Sequence, residues 1–331
     1  MVGPFDRVVI VGLGLIGGSI AKALAPLVDV VGVDVDLATR ATALADGIQC
    51  SSLDDALTPT SLVIVAVPVN EIESTFSAIA AISTEPLITD VGSVKTSIIA
   101  AARATGLRFV GGHPMAGSEH SGYHAAVDSL FSGARWALTL EPDTNIHDWL
   151  AVARVAIAVG AGVVPVTAAS HDEAVAAVSH LPHVLAAALA NAAGTDPDSV
   201  DLRLGLAAGS FRDGTRVARS PSSFWSAVLC LNATSREAMV DALAGELHEI
   251  AAALRLGDAQ AVEEFFARGA ELRTAFDERT SAGVTLSAAD DVALRNALLR
   301  LGAQGGFVTH VESEPVPIVV HGRAPIRSAR Q

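Results

Sequence analysis

Val8-Val9-Ile10-Val11-Gly12-Leu13-Gly14-Leu15-Ile16-Gly17-Gly18-Ser19 joins an unbroken apolar, mostly β-branched run to spaced glycines and then to a stretch of small residues. Residues 7–11 read as a strand buried on both faces, and residues 15–24 as a helix. Between them lies G-x-G-x-x-G in strand–turn–helix context. The first glycine permits the tight turn, the second lets a pyrophosphate approach the backbone, and the third lets helix pack on strand. The helix start adds N–H groups and the positive end of its dipole. Residues 28–33 read as a second strand, and Asp34 follows it, 22 residues after Gly12. A carboxylate there accepts hydrogen bonds from an adenosine ribose and repels a 2′-phosphate, so NAD is expected. Arg40 leaves NADP open, and Asp36 reads as a solvated turn residue. The expected cofactor residues are Gly12, Leu13, Gly14, Leu15, Ile16, Gly17 and Asp34, with Val67 and Pro68 at the end of a later strand, and Ser93.

Outward from this segment, strand-like runs at 62–67, 86–89 and 108–111 alternate with helical stretches at 71–81 and 94–104. Two more runs, 135–140 and 163–166, flank a helical stretch at about 146–159. Short apolar strands alternating with helices predict an α/β fold, a Rossmann-type doubly wound parallel sheet at the N-terminus. From 170 to about 279 the chain is Ala- and Leu-rich with helical spacing, which predicts an all-α second domain. The tail turns mixed again, strand-like at 283–286 and 307–311 around a helix at 290–301. The expected divisions are 1–167, 168–281 and a short C-terminal extension, 282–331. Residues 174–195 lack charged side chains and reach membrane-span length, but they are mostly Ala and include Ser179, His180, Pro182 and His183. A helix of the core or of a subunit interface is the expected reading.

The chain has 331 residues, 22 Lys plus Arg against 36 Asp plus Glu, and a net charge of −14. That excludes a general binder of nucleic acid or of anionic membranes, which needs a basic face. Small anions need only local positive charge. Lys22 and Lys95 are the only lysines, and Arg203, Arg212, Arg216 and Arg219 crowd into 17 residues. Cys50 and Cys230 are too few for a disulfide framework or a cysteine metal site, so a cytoplasmic protein is expected. The N-terminus has no basic region before its apolar stretch and does not read as a secretory signal.

Three further segments carry chemistry. Asp90-Val91-Gly92-Ser93-Val94-Lys95 ends a strand, where Ser93 and Lys95 can face a ligand crevice or Asp90 and Ser93 can simply cap a helix. Gly111-Gly112-His113-Pro114-Met115-Ala116-Gly117-Ser118-Glu119 reads as a Gly-rich loop that exposes a histidine able to take a proton near neutral pH; a structural histidine is the alternative. The third is split between Ser179-His180-Leu181-Pro182-His183 and Phe211-Arg212-Asp213-Gly214-Thr215-Arg216, with Trp225 behind. His180 and His183 share a helix face, but no third ligand accompanies them, so no metal is expected. The arginines form either a pocket wall or a solvated face.

Taken together, the segments at 12–19, 90–95, 111–122, 179–183 and 210–221 resemble the prephenate/arogenate dehydrogenases of tyrosine biosynthesis, in that family's order. The resemblance implies that His113 is the catalytic histidine and that Ser93 orients the ring 4-hydroxyl near the nicotinamide. It implies that Arg216 binds a substrate carboxylate, and that Arg212, His180, His183, Ser118 and Glu119 complete the pocket. It also implies a homodimer built on the helical domain. The expected function is NAD-dependent prephenate dehydrogenase, with arogenate as the alternative substrate. A β-hydroxyacid-type dehydrogenase and a non-catalytic NAD-binding module are more distant alternatives. Lys95 and the arginine cluster are expected to hold the anionic ligands. The tail is too short for the regulatory or chorismate mutase domains of some relatives, which argues against feedback inhibition through one.

Overall fold

The computed structural model describes residues 3–118, 120–220, 222–231, 233–312 and 318–326, with the side chains of 233–236 set aside. Six strands, β1 (Val8–Val11), β2 (Val30–Val33), β3 (Gln49–Cys50), β4 (Leu62–Val65), β5 (Leu87–Asp90) and β6 (Arg108–Val110), form a sheet in the order β3-β2-β1-β4-β5-β6. All five pairings are parallel. The apolar runs follow from this burial. Val8 and Ile10 pack in one core cluster with Leu62, Ile64 and Trp149, while Val9 and Val11 pack in another with Val63, Val65 and Phe76. Successive side chains point to opposite faces, so both faces must be apolar. The chain leaves β1 toward β2 and β3, then returns to β4 on the other side. Ligands collect at the carboxyl ends of strands at such a switch point.

A second sheet lies, but for the ends of two strands, in the same compact unit. It is built from β7 (Gly112–Pro114), β8 (Arg135–Thr139), β9 (Gly162–Val166), β10 (Ser281–Ala288), β11 (Phe307–Val311) and β12 (Ile318–Pro325), in the order β10-β12-β11-β9-β8-β7. β8 and β9 run parallel, whereas β7–β8, β9–β11 and β11–β12 are antiparallel. Sequence pattern predicts one parallel sheet, yet the chain passes from the first sheet to the second at Gly111. Glycines are needed at this crossing. A Cβ on Gly111 would stand 2.7 Å from the Thr139 hydroxyl, and one on Gly112 only 2.5 Å from the Asp90 carbonyl oxygen.

The first unit comprises residues 1–172, 221–231 and 283–324. The tail is therefore no separate extension. Leu294, Leu298 and Leu301 of the helix Asp291–Ala303 join the core, and β11 pairs with β9 at Val308 and Val163. The helix Ser222–Cys230, predicted within the second domain, gives Val228 and Trp225 to the first unit's other cluster. The second unit, residues 173–220, 232–282 and 325–331, is built mainly of helices. Its main helices are Leu181–Ala193, Gly209–Thr215, Ala233–Leu256 and Ala259–Asp277. Residues 168–193 form a 26-residue helical run, long and apolar enough to cross a membrane by length and composition alone. Only 22% of its most apolar window is buried, and Val178, Leu185 and Leu189 are exposed.

Candidate active site

The β1 turn has the geometry its glycines predict. Gly12 has φ +94°, and a Cβ there would meet the Ala66 carbonyl oxygen at 2.6 Å. A Cβ on Gly17 would fall 1.9 Å from the Gly12 carbonyl oxygen. Gly14 is different: a Cβ there would meet nothing within 4 Å. The first and third glycines are thus required by the protein itself, and the second opens the backbone to a ligand. No side chain caps the helix Leu15–Leu24, which leaves its start suited to a phosphate. Leu13 is wholly buried, so only its backbone serves the loop; its N–H donates to Asp34 at 2.7 Å. The other Asp34 oxygen accepts from the Asp36 N–H at 2.8 Å. These two bonds anchor the carboxylate and leave it further lone pairs for a ribose. Asp36, read as a solvated turn residue, caps the helix Leu37–Ala45. Val67 and Pro68 follow β4 directly, the Val67 nitrogen lying against Gly12. The residues present fit a dinucleotide.

Beyond β5, a buried polar cluster holds the second strand end in place. Lys95 was expected to present its charge to an anion. Instead it is 0% exposed and forms an ion pair with Asp90. Its ammonium also donates to the Gly112 carbonyl at 2.6 Å, and Asp90 accepts from the Gly112 N–H at 3.0 Å. Burial pulls the Lys95 pKa down, against the pull of the Asp90 charge. The lysine is a tie between the β5 turn and β7, and not an anion site. Ser93 sits half-buried in the turn between the two charges.

His113 was expected in a loop. It is the middle residue of β7, paired with Ala137 of β8, and is 9% exposed. Its Nδ1 lies 2.8 Å from Nε2 of His171, and the two rings meet edge to face with centroids 5.1 Å apart. His171 Nδ1 lies 2.9 Å from Asp172 Oδ1. Asp172 in turn accepts from the Lys95 N–H at 2.8 Å and the Thr96 N–H at 2.9 Å. Burial holds the His171 pKa down, outweighing the Asp172 carboxylate. Burial would raise the Asp172 carboxyl, but the hydrogen bonds from His171, Thr96 and Lys95 prevail and bring it down to about 2. Ser118 is exposed in the loop after β7, its hydroxyl accepting from the His120 N–H at 3.1 Å. Glu119 lies outside the described residues.

Within the second unit, the helix Leu181–Ala193 packs on the helix Gly209–Thr215 and the turn Arg216–Arg219. His180 is buried and His183 half-buried. Burial lowers the His183 pKa; the nearby Arg216 charge lowers it further, while the Val217 backbone pulls it up. The split motif is thus reunited: His183 and Arg216 are neighbours. Arg212, Arg216 and Arg219 are exposed and make no ion pair among the described residues. Arg203 is tied locally, to the Ala193 carbonyl at 3.2 Å and to Asp196 at 3.8 Å.

Residues 18–165 match the family profile "Prephenate dehydrogenase, nucleotide-binding domain", and residues 167–268 match "Prephenate dehydrogenase, dimerization domain". The chain is 34% identical over 282 residues to the prephenate dehydrogenase of Lactococcus lactis subsp. cremoris, covering 82% of this chain and 77% of that one. The chain belongs to the prephenate dehydrogenase family. Among solved structures of that family it is similar to the Aquifex aeolicus enzyme in complex with hydroxyphenyl propionate and NAD+, with TM-score 0.75 and 28% identity over 83% of this chain and 99% of that one. It is also similar to the arogenate dehydrogenase of Synechocystis, with TM-score 0.73 and 27% identity over 82% of this chain and 99% of that one. The protein is an NAD-dependent oxidoreductase of this family. Its N-terminal Rossmann-like parallel sheet and helical second unit are those the sequence pattern predicts.

Sequence reasoning missed His171 and Asp172. The signal present was an adjacent His-Asp pair eight residues before Ser179-His180. Adjacent residues on a helix point in different directions, so the pair carries no spacing pattern. Only the fold brings it to β7.

Proposed function

We propose that this protein is a prephenate dehydrogenase, converting prephenate with NAD to 4-hydroxyphenylpyruvate and carbon dioxide. The observation that carries this reading is the nearly buried His113, held by a second histidine in the unit that bears the dinucleotide loop. NAD, when bound, accepts the hydride from C4 of the cyclohexadienyl ring. His113 takes the proton of the 4-hydroxyl as that C–H bond breaks. The ring C–CO₂ bond then breaks, its electron pair completes the aromatic ring, and the oxygen at C4 regains a proton. Aromatisation drives the step, so the chain's work is orientation and proton handling. Ser93, in the turn after β5, orients the hydroxyl. Arg216 holds a substrate carboxylate, since its guanidinium makes two parallel bonds to one. Arg212, His180, His183, Ser118 and Glu119 complete the substrate set.

The protein acts as a homodimer through its helical unit. Val178, Leu247, Leu254, Phe266, Leu272 and Phe276 are exposed there, apolar side chains of the kind a subunit interface covers. The profile matched at 167–268 is named for dimerization, which supports this. Two cysteines without a disulfide suit a cytoplasmic setting, and a charge of −14 suits neither nucleic acid nor anionic membranes as partners. Arogenate is the second reading, favoured by the likeness to an arogenate dehydrogenase. The test is kcat/KM for prephenate and for arogenate, each with NAD and NADP. Prephenate with NAD should give the highest value, and a higher value for arogenate would reverse the assignment.

A further inference from the structure

We infer that His171 and Asp172 are positioning residues that set the tautomer of His113 and stabilise its charged form, making Nε2 of His113 the proton acceptor. This inference rests on the prephenate dehydrogenase reading and adds two residues to it.

The argument starts at Asp172. Its Oδ1 accepts from the Lys95 N–H and its Oδ2 from the Thr96 N–H, so the carboxylate is fixed at the start of the helix Thr96–Thr105. A carboxylate can only accept, so the 2.9 Å contact to His171 requires a proton on His171 Nδ1. His171 is buried and held neutral, so its Nε2 then carries a lone pair. The 2.8 Å contact to His113 therefore requires a proton on His113 Nδ1. In neutral His113 the lone pair is left on Nε2. Each bond in the chain dictates the next, and the chain ends at the atom that must receive a proton.

The same chain acts after proton transfer. When the O–H bond of the 4-hydroxyl breaks and an N–H bond forms at His113 Nε2, the new positive charge is shared through His113 Nδ1–H to His171, and faces the Asp172 carboxylate beyond. Of the other charges on the elements packed here, Glu173, Arg103 and Arg135 are exposed, and Asp90 and Lys95 form one buried ion pair of opposite signs. Asp172 is thus the negative charge that the pair does not offset. The logic is that of a carboxylate orienting a catalytic histidine, with one imidazole interposed.

Two variants separate this role from helix capping. His171→Ala breaks the chain and leaves the Asp172 bonds to Lys95 and Thr96 in place. Asp172→Asn removes the negative charge, while its amide oxygen at the Oδ1 position still accepts from the Lys95 N–H and from His171 Nδ1–H, so the tautomers are kept and the charge is lost. The first readout is imidazole ¹⁵N NMR of histidine-labelled enzyme. Wild type and Asp172→Asn should both show His113 protonated at Nδ1, and His171→Ala should lose that preference. The second is the pH profile of kcat for prephenate. Both variants should lose about 10²- to 10³-fold in kcat. Their acid limb should move to lower pH, because a histidine without its carboxylate loses its proton more easily. Affinity for NAD should be unchanged. An Nε2-protonated His113 in wild type, or wild-type kcat and acid limb in both variants, overturns the proposal. If wild type itself fails to oxidise prephenate, the functional reading falls, and the NMR tautomer alone then decides this one.

Discussion

At the scale of single residues, the site depends on buried polar groups whose partners are all within the protein. Lys95 is the plainest case. Removing its charge by Lys95→Met would leave Asp90 buried beside an unsatisfied Gly112 carbonyl. Breaking one side of a buried pair typically costs about 3–5 kcal/mol. Chemical denaturation should show that loss, together with reduced kcat from displacement of His113 on β7. A variant as stable as wild type would mean that the pair is not the tie described. Arg216 should behave in the opposite way. Being exposed and outside any ion pair among the described residues, it should tolerate Arg216→Ala with little change in stability. KM for prephenate should rise by the equivalent of roughly 2–4 kcal/mol, the worth of a lost charge-assisted contact. A rise in KM for NAD instead would refute the carboxylate assignment. These two residues also mark what was legible. Arg216 stands in a motif whose chemistry can be read without a fold. Lys95 was misread, because a lysine in a strand-end turn has the same spacing whether it faces a ligand or folds back on Asp90.

At the scale of elements, the glycine turn after β1 separates folding from binding. Gly14→Ala places its Cβ in open space, so the melting temperature should hold while NAD affinity falls. Gly17→Ala drives a Cβ onto the Gly12 carbonyl, so both stability and NAD binding should fall. Equal loss of stability in the two variants would contradict the division of roles. This loop was fully legible because its glycines are dictated by backbone geometry within a few residues. The helix start at Ala168–Val175 was not. His171 and Asp172 acquire meaning only when that helix meets β7, some 58 residues earlier in the chain.

At the scale of the whole molecule, the tail was misassigned for the same reason. β11 pairs with β9 across more than 140 residues, and no local pattern announces such a partner. Acid sensitivity belongs at this scale as well. His171 is held below its ordinary value of 6.5 in the folded state, so it contributes stability that is full above that value and lost as pH falls. Asp172, brought from 3.8 to about 2, contributes stability that is lost only below 3.8. The melting temperature should therefore decline between pH 7 and 5, and decline less in His171→Gln. Some slope should remain, because burial also lowers His183. Parallel curves for the two proteins would contradict this origin.

The central claim joins NAD chemistry to His113. It is tested most directly by the initial rate of reduced-nicotinamide absorbance with prephenate and NAD, in wild type and in His113→Asn. Wild type should turn over, and the variant should be about 10²- to 10⁴-fold slower in kcat with unchanged NAD affinity. No reduced cofactor from wild type, or an equal rate from the variant, would contradict the account.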